Sequence, residues 1–290
     1  MAFAQNEYQV EDKPKAIRVS AVPRSALAFK AIMHPSVLAR DLIRRFHIGS
    51  FEFRMAIQAC ARPWYAYGVW HAADLARRLG LDEVTVVELG VAGGEGLRQM
   101  EQIAAEVEKS LAVRIHVFGF DTGYGLPPET DYRDLPYVYR RGLYRMDVER
   151  VQASLSRAQL VLGDVASTIP GFLRRAAPAP IGFVSFDLDY YSSTAAGLRI
   201  LRGPDKGCLP RVLCYFDDVT SADQFYLCED VGELNAIREF NNGSRDEKIR
   251  PAHNFMPAGS MPYSPWAEKI WVYHRFHHPQ YNTYIGTGNA

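Results

Sequence analysis

From about residue 36 to residue 80 the apolar positions recur at intervals of three and four. LARDLIRRF and YGVWHAADLARRLG both carry this spacing, and the second stops at Gly80. That period predicts amphipathic helices. Beyond Gly80 the rhythm changes. VTVVELG (84–90), VRIHVFGFD (113–121), AQLVLGD (158–164), IGFVSFD (181–187) and RVLCYFDD (211–218) are short apolar runs rich in β-branched residues. Helical material fills most of the gaps, including the amphipathic GEGLRQMEQIAAEVEKS after the first run. Strands alternating with helices predict a parallel, doubly wound α/β sheet. EKIRPAHNF (247–255) and EKIWVYHRF (268–276) lack a full crossover helix between them, which predicts an antiparallel edge pair. Residues 1–30 show no clear period and are read as extended or loosely packed.

The chain thus divides into an N-terminal extension, 1–80, mainly helical, and an α/β domain, 81–290. The extension is read as a cap, a lid or a dimer surface, or as a simple cover for the sheet, which leaves a homo-oligomer open. RRAAPAPIG (174–182) is too short to separate domains.

Composition alters this picture little. The 290 residues are 48% hydrophobic and 23% charged, ample for a core. Lys+Arg and Asp+Glu are both 33, so no basic footprint points to nucleic acid. Cys60, Cys208, Cys214 and Cys228 form no CxxC pair, which fits reduced thiols in a cytoplasmic protein. The first residues lack an apolar signal core, and no run approaches a membrane span, so no membrane partner is expected.

Candidate chemistry lies at the strand ends. VVELGVAGGEGL puts Gly90, Gly93, Gly94 and Gly96 between the first strand and its helix. Glycines there let a ligand approach the backbone, beside the free N–H groups of a helix start. Ala92 breaks the dinucleotide pattern G-x-G-x-x-G, and no G-K-[ST] follows. Glu88 and Glu95 would repel phosphate, so a zwitterionic or cationic ligand bearing an adenosine fits better. Asp121 ends the second strand, where an acid can accept ribose hydroxyls. Asp164 follows the third strand and can meet an adenine amino group or cap the next helix.

The fourth strand delivers Asp187 and Asp189, and the fifth Asp217 and Asp218. Carboxylates converging on one rim raise each other's pKa or call for a cation. Oxygen ligation favours Mg²⁺, then Mn²⁺ or Ca²⁺. Solvated acidic turns are the plain alternative. Tyr190 and Tyr191, directly after the acids, are candidates for the pocket, and their rings can equally pack. Trp64, Tyr65, Tyr67 and Trp70 read mostly as a core stripe, and His253 as a residue able to reach the site from a late loop.

Together, VVELGVAGGEGL, VFGFDTGYGLP, LVLGD, FDLDYYSST and YFDD resemble the macrocin (TylF)-type metal-dependent O-methyltransferases, within the class I S-adenosylmethionine methyltransferases. The resemblance covers about 84–218. It implies a doubly wound, seven-stranded Rossmann-like sheet with an antiparallel last strand. It also implies methyl transfer from S-adenosylmethionine to a hydroxyl of a small-molecule acceptor, a sugar or polyol of a natural product. By resemblance, Glu88, Gly90, Gly93, Gly94 and Glu95 line the cofactor's methionine part, Asp121 takes the ribose and Asp164 the adenine. Asp187, Asp217 and Asp218 would ligate the metal, with Asp189 beside them as a second support or as the base. Tyr191 and Ser192 depart from the usual run, and 219–265 matches nothing in the family closely. Two other readings stand beside this one: a metal-independent methyltransferase whose acids bind a substrate amine, and a non-catalytic cofactor-binding module. No G-x-S-x-G elbow supports a hydrolase.

Overall fold

A computed structural model describes residues 35–174, 179–203, 207–220, 227–252 and 265–286. Residues 1–30 and His253 lie outside this set. Among the described residues, three helices precede the sheet: α1 (Pro35–Phe46), α2 (Phe51–Ala56) and α3 (Pro63–Arg78). They are followed by β1 (Glu83–Leu89), α4 (Glu95–Leu111), β2 (Arg114–Asp121), α5 (Val148–Ser154), β3 (Gln159–Leu162), α6 (Val165–Arg174) and β4 (Ile181–Phe186). The chain continues through α7 (Tyr191–Gly197), β5 (Cys208–Phe216), α8 (Gly232–Asn242), β6 (Glu247–Pro251) and β7 (Ile270–Arg275).

The strands form one seven-stranded sheet in the order β3-β2-β1-β4-β5-β7-β6. β1 to β5 pair in parallel, whereas β7 runs antiparallel to both β5 and β6. This is the class I, Rossmann-like methyltransferase fold that the strand pattern and the motifs anticipate. The expected edge pair forms, but the last strand inserts between β5 and β6 and does not sit outermost.

Period-two alternation explains why the strands are mostly apolar on both faces. Val84 and Val86, with Ile115 and Val117, face a core shared with α3 and α4. Val87 and Leu89, with Phe118 and Phe120, face the core under α6 and α8. A strand covered on both faces reads as a near-continuous apolar run. α4 buries Leu97, Met100, Ile103, Ala104 and Val107, the helical stripe expected of it.

α3 is part of this core. Tyr65, Ala66, Val69, Ala72, Ala73 and Ala76 are buried in the cluster that holds Val84 and Phe183. α1 differs, because Leu38, Leu42 and Phe46 remain exposed on it.

Candidate active site

The strand order reverses between β1 and β4, where ligands of doubly wound sheets sit beyond the carboxyl ends. A cavity of about 570 Å³ opens there. Its walls include Glu88 from β1, Gly90 and Gly93 from the turn after it, Glu95 at the start of α4, Asp121 and Asp164 from the next two strand ends, and Asp187, Asp189, Asp217 and Asp218. Gly94 caps α4 with φ +79° and lies against Val151 instead.

Gly90 is required by geometry. Its φ is +88°, and a Cβ would stand 1.8 Å from the Asp187 carbonyl oxygen. The turn after β1 therefore lies directly on the strand end that carries the acids. Gly96 is needed for a different reason, since a Cβ there would lie 1.9 Å from Glu88 Oε1.

Asp121 is occupied by the backbone. Oδ2 accepts from Val91 N and Ala92 N, both at 2.9 Å, and Oδ1 accepts from Gly123 N at 2.7 Å. It holds the loop over β1, with less capacity left for a ligand than a free carboxylate has. Asp164 takes the capping role: Oδ1 accepts from Ala166 N at 2.7 Å at the start of α6, while the residue still lines the cavity. Glu95 is half-exposed and pairs with Arg98.

Glu88 lies almost wholly inside, 2% exposed. Tyr65 Oη donates to its Oε1 at 2.5 Å, and Ser185 Oγ donates to Tyr65 Oη at 3.2 Å. Its Oε2 is buried without a partner. Burial pushes its carboxyl up to about 7, against the lowering effects of Tyr65 and Arg62. The tyrosine read as part of a core stripe thus also supports a cavity residue.

The four aspartates do converge. Burial, then Asp217, Asp218 and Asp189, hold the Asp187 carboxyl well above the usual range. Asp189 is 9% exposed and pushed up to about 8 by burial and by Asp218. Its backbone takes φ +59°, a left-handed conformation that Asp tolerates better than most residues. Burial and Asp217 lift Asp218 to about 6. Tyr139 Oη donates to Asp218 Oδ1 at 3.2 Å, and Asp218 Oδ2 is buried without a partner. Asp217 differs from the others, accepting from Tyr215 Oη at 2.6 Å and Lys269 Nζ at 3.0 Å.

Pattern reading did not find Glu233 of α8. It is fully buried, its Oε2 accepts from Asp218 N at 2.9 Å, and its Oε1 is unpartnered. Burial and then Asp218 raise its carboxyl well above the usual range. Nothing in GELNAIREF marks this glutamate, because its partner lies on another element.

The expected metal set is not assembled as a ligating group. Among the described residues, no three His, Cys, Asp or Glu side chains stand together so as to hold an ion. Asp217 is committed to Lys269 and Tyr215. The donor chemistry itself fits a hard cation: the acids are all oxygen donors, and two buried oxygens, on Asp218 and Glu233, lack partners.

Neither Tyr190 nor Tyr191 lines the cavity. The Tyr190 ring is buried against Tyr139, at 6.2 Å between centroids. Tyr191 Oη donates to Glu239 at 2.6 Å under the Arg133 guanidinium. Both pack, and Tyr139 and Tyr144 supply the aromatic wall instead. The hydroxyl run after them meets Asp134, another residue that pattern reading missed. Asp134 accepts from Ser192 N and Oγ at 2.8 and 3.0 Å and from Thr130 N and Oγ1 at 2.7 Å. It ties the loop carrying Tyr139 to the start of α7.

Among the described residues no helix is long and apolar enough to cross a membrane. No known family profile and no curated protein matches the chain. Solved structures do. CalS11, described as a calicheamicin methyltransferase, aligns at 18% identity over 89% of this chain and 95% of its own, with a TM-score of 0.47. Its apo form, described as a TDP-rhamnose 3'-O-methyltransferase, aligns at 19% identity over 89% and 97%, TM-score 0.43. A methyltransferase from Silicibacter pomeroyi aligns at 15% over 73% and 94%, TM-score 0.32. The fold rests on the strand order and on the antiparallel β7 between β5 and β6: the chain has a class I S-adenosylmethionine-dependent methyltransferase fold.

Proposed function

We propose that this protein transfers a methyl group from S-adenosylmethionine to a hydroxyl of a small-molecule acceptor, of the sugar or polyol kind. The observation that carries the reading is one shared cavity. It joins the glycine turn after β1, the acids after β2 and β3, and the carboxylates after β4 and β5. Bound cofactor supplies the sulfonium methyl as the electrophile. The residues of the chain then have separable tasks. The turn at Gly90 lets a ligand lie close to the β1 and β4 ends. Asp121 holds that turn in place, and Asp164 borders the far end of the cavity. Asp189 takes the proton of the acceptor hydroxyl as the oxygen–methyl bond forms and the sulfur–methyl bond breaks. Tyr139 and Tyr144 shape the acceptor side. Catalysis of this kind depends mainly on alignment and on a positioned proton acceptor.

A second reading adds a divalent ion, Mg²⁺ first, held by Asp187, Asp217 and Asp218. The unpartnered oxygens of Asp218 and Glu233 favour it. Such an ion would acidify the acceptor hydroxyl and fix two of its oxygens. In that reading Lys269 would have to release Asp217.

The test is methyl transfer from labelled S-adenosylmethionine to a panel of sugars and polyols, with and without excess chelator. Asp189→Asn is expected to lower kcat by roughly 100-fold or more. Loss on chelation with recovery on Mg²⁺ selects the second reading, and full activity in chelator selects the first. No transfer to any acceptor, together with no cofactor binding, would overturn both.

A further inference from the structure

Arg62 immediately precedes α3, outside the turns that the motifs marked, yet it lines the same cavity as Glu88 and the glycine turn. Its guanidinium lies 5.3 Å from the Tyr65 ring and 5.9 Å from the Trp64 ring. It forms no ion pair among the described residues. Its charge nevertheless reaches Glu88, Tyr65 and Tyr215. A half-buried, stacked arginine in a cavity crowded with carboxylates has been left without a salt bridge.

Across from it stands Glu88. One of its oxygens is taken by Tyr65, the other is buried without a partner, and the residue borders the cavity. The wall thus presents one cation and one orphaned carboxylate oxygen from neighbouring elements. A ligand group satisfying both must carry an anion and a cation close together, as an α-amino acid does. Phosphate fits poorly, since Glu88, Glu95 and six aspartates border the same space. Stacking on Tyr65 and Trp64 also holds the planar guanidinium in advance, so less order is lost when it clamps a carboxylate through two N–H groups.

We propose that Arg62 binds the α-carboxylate of the cofactor's methionine moiety, with Glu88 Oε2 accepting from its ammonium. This rests on the cofactor reading above and adds to it a residue from the helical segment ahead of β1. The segment is then a working wall of the cofactor site, in addition to covering the sheet.

Calorimetry with two ligands tests it: S-adenosylhomocysteine, which carries the amino acid, and 5'-methylthioadenosine, which has the same nucleoside and thioether without it. Arg62→Gln is expected to weaken S-adenosylhomocysteine roughly 10- to 100-fold and to leave methylthioadenosine within about twofold. Arg62→Lys, which keeps the charge but loses the fork, is expected to fall between. Equal losses for both ligands would reduce Arg62 to a packing role and overturn the assignment. So would unchanged binding of S-adenosylhomocysteine. If the wild-type protein binds neither ligand, the cofactor reading itself fails, an outcome distinct from binding that ignores Arg62.

Discussion

Glu88 shows how far one side chain can be displaced from its solution chemistry by position alone. The same carboxylate at the surface would be ionised well below neutrality. Here burial outweighs a 2.5 Å hydrogen bond from Tyr65 and the nearby Arg62 charge, and the group titrates at about 7. Folded protein therefore keeps a proton that the unfolded chain releases near 4.5. The unfolded state binds fewer protons across this window, so this group's contribution to stability falls as pH rises from about 4.5 to about 7, then levels off. The expected size is about 3 kcal/mol. Glu88→Gln should lack this fall, so denaturant unfolding at pH 5 and pH 8 should show the variant gaining on wild type by that amount. Parallel curves for the two proteins would contradict the retention of this proton below pH 7.

At the scale of elements, two connections decide whether a site exists. The turn after β1 lies so close to β4 that Gly90 touches the Asp187 backbone, and its φ is in the left-handed region. Gly90→Ala is expected to cost at least about 3 kcal/mol, combining strain with a main-chain clash. Its denaturation midpoint should fall accordingly. The second connection is the 122–147 loop, pinned through Asp134. That carboxylate is fully buried and accepts four hydrogen bonds from Thr130 and Ser192. Asp134→Ala leaves these donors unmatched, at an expected cost of about 3 kcal/mol. Because the loop carries Tyr139 and Tyr144, KM for the acceptor should rise more than cofactor affinity falls. Equal effects on the two would mean the loop does not shape the acceptor side.

For the whole molecule, the sheet order is what places separated residues around one cavity. Elements from Arg62 to Asp218 contribute, so a ligand there ties together α3, β1, β2, β4 and β5. Ligand binding to the folded state alone should stabilise all of it at once. S-adenosylhomocysteine at 100 times its Kd is expected to add about 2.7 kcal/mol and raise Tm by roughly 5 °C. A scan in which Tm does not move with ligand concentration would argue against binding in this cavity.

Much of this was legible in the chain itself. Apolar runs and their spacing determined five parallel strands with helices between them, because a strand buried on both faces is apolar at nearly every position. The glycines, Glu88 and the acids at strand ends were visible for a related reason: a turn that approaches a ligand or another backbone permits few residue types. Tertiary structure alone decided which acids are free and which are employed. Asp121 and Asp164 hold backbone N–H groups, Asp217 holds Lys269, and Tyr190 and Tyr191 pack where a pocket role was open to them. Glu233, Asp134 and Arg62 were invisible to pattern, since each owes its role to partners on distant elements and sits in an unremarkable local sequence. Spacing records what the local backbone demands, whereas desolvation and the satisfaction of buried polar atoms depend on neighbours that only the folded chain supplies.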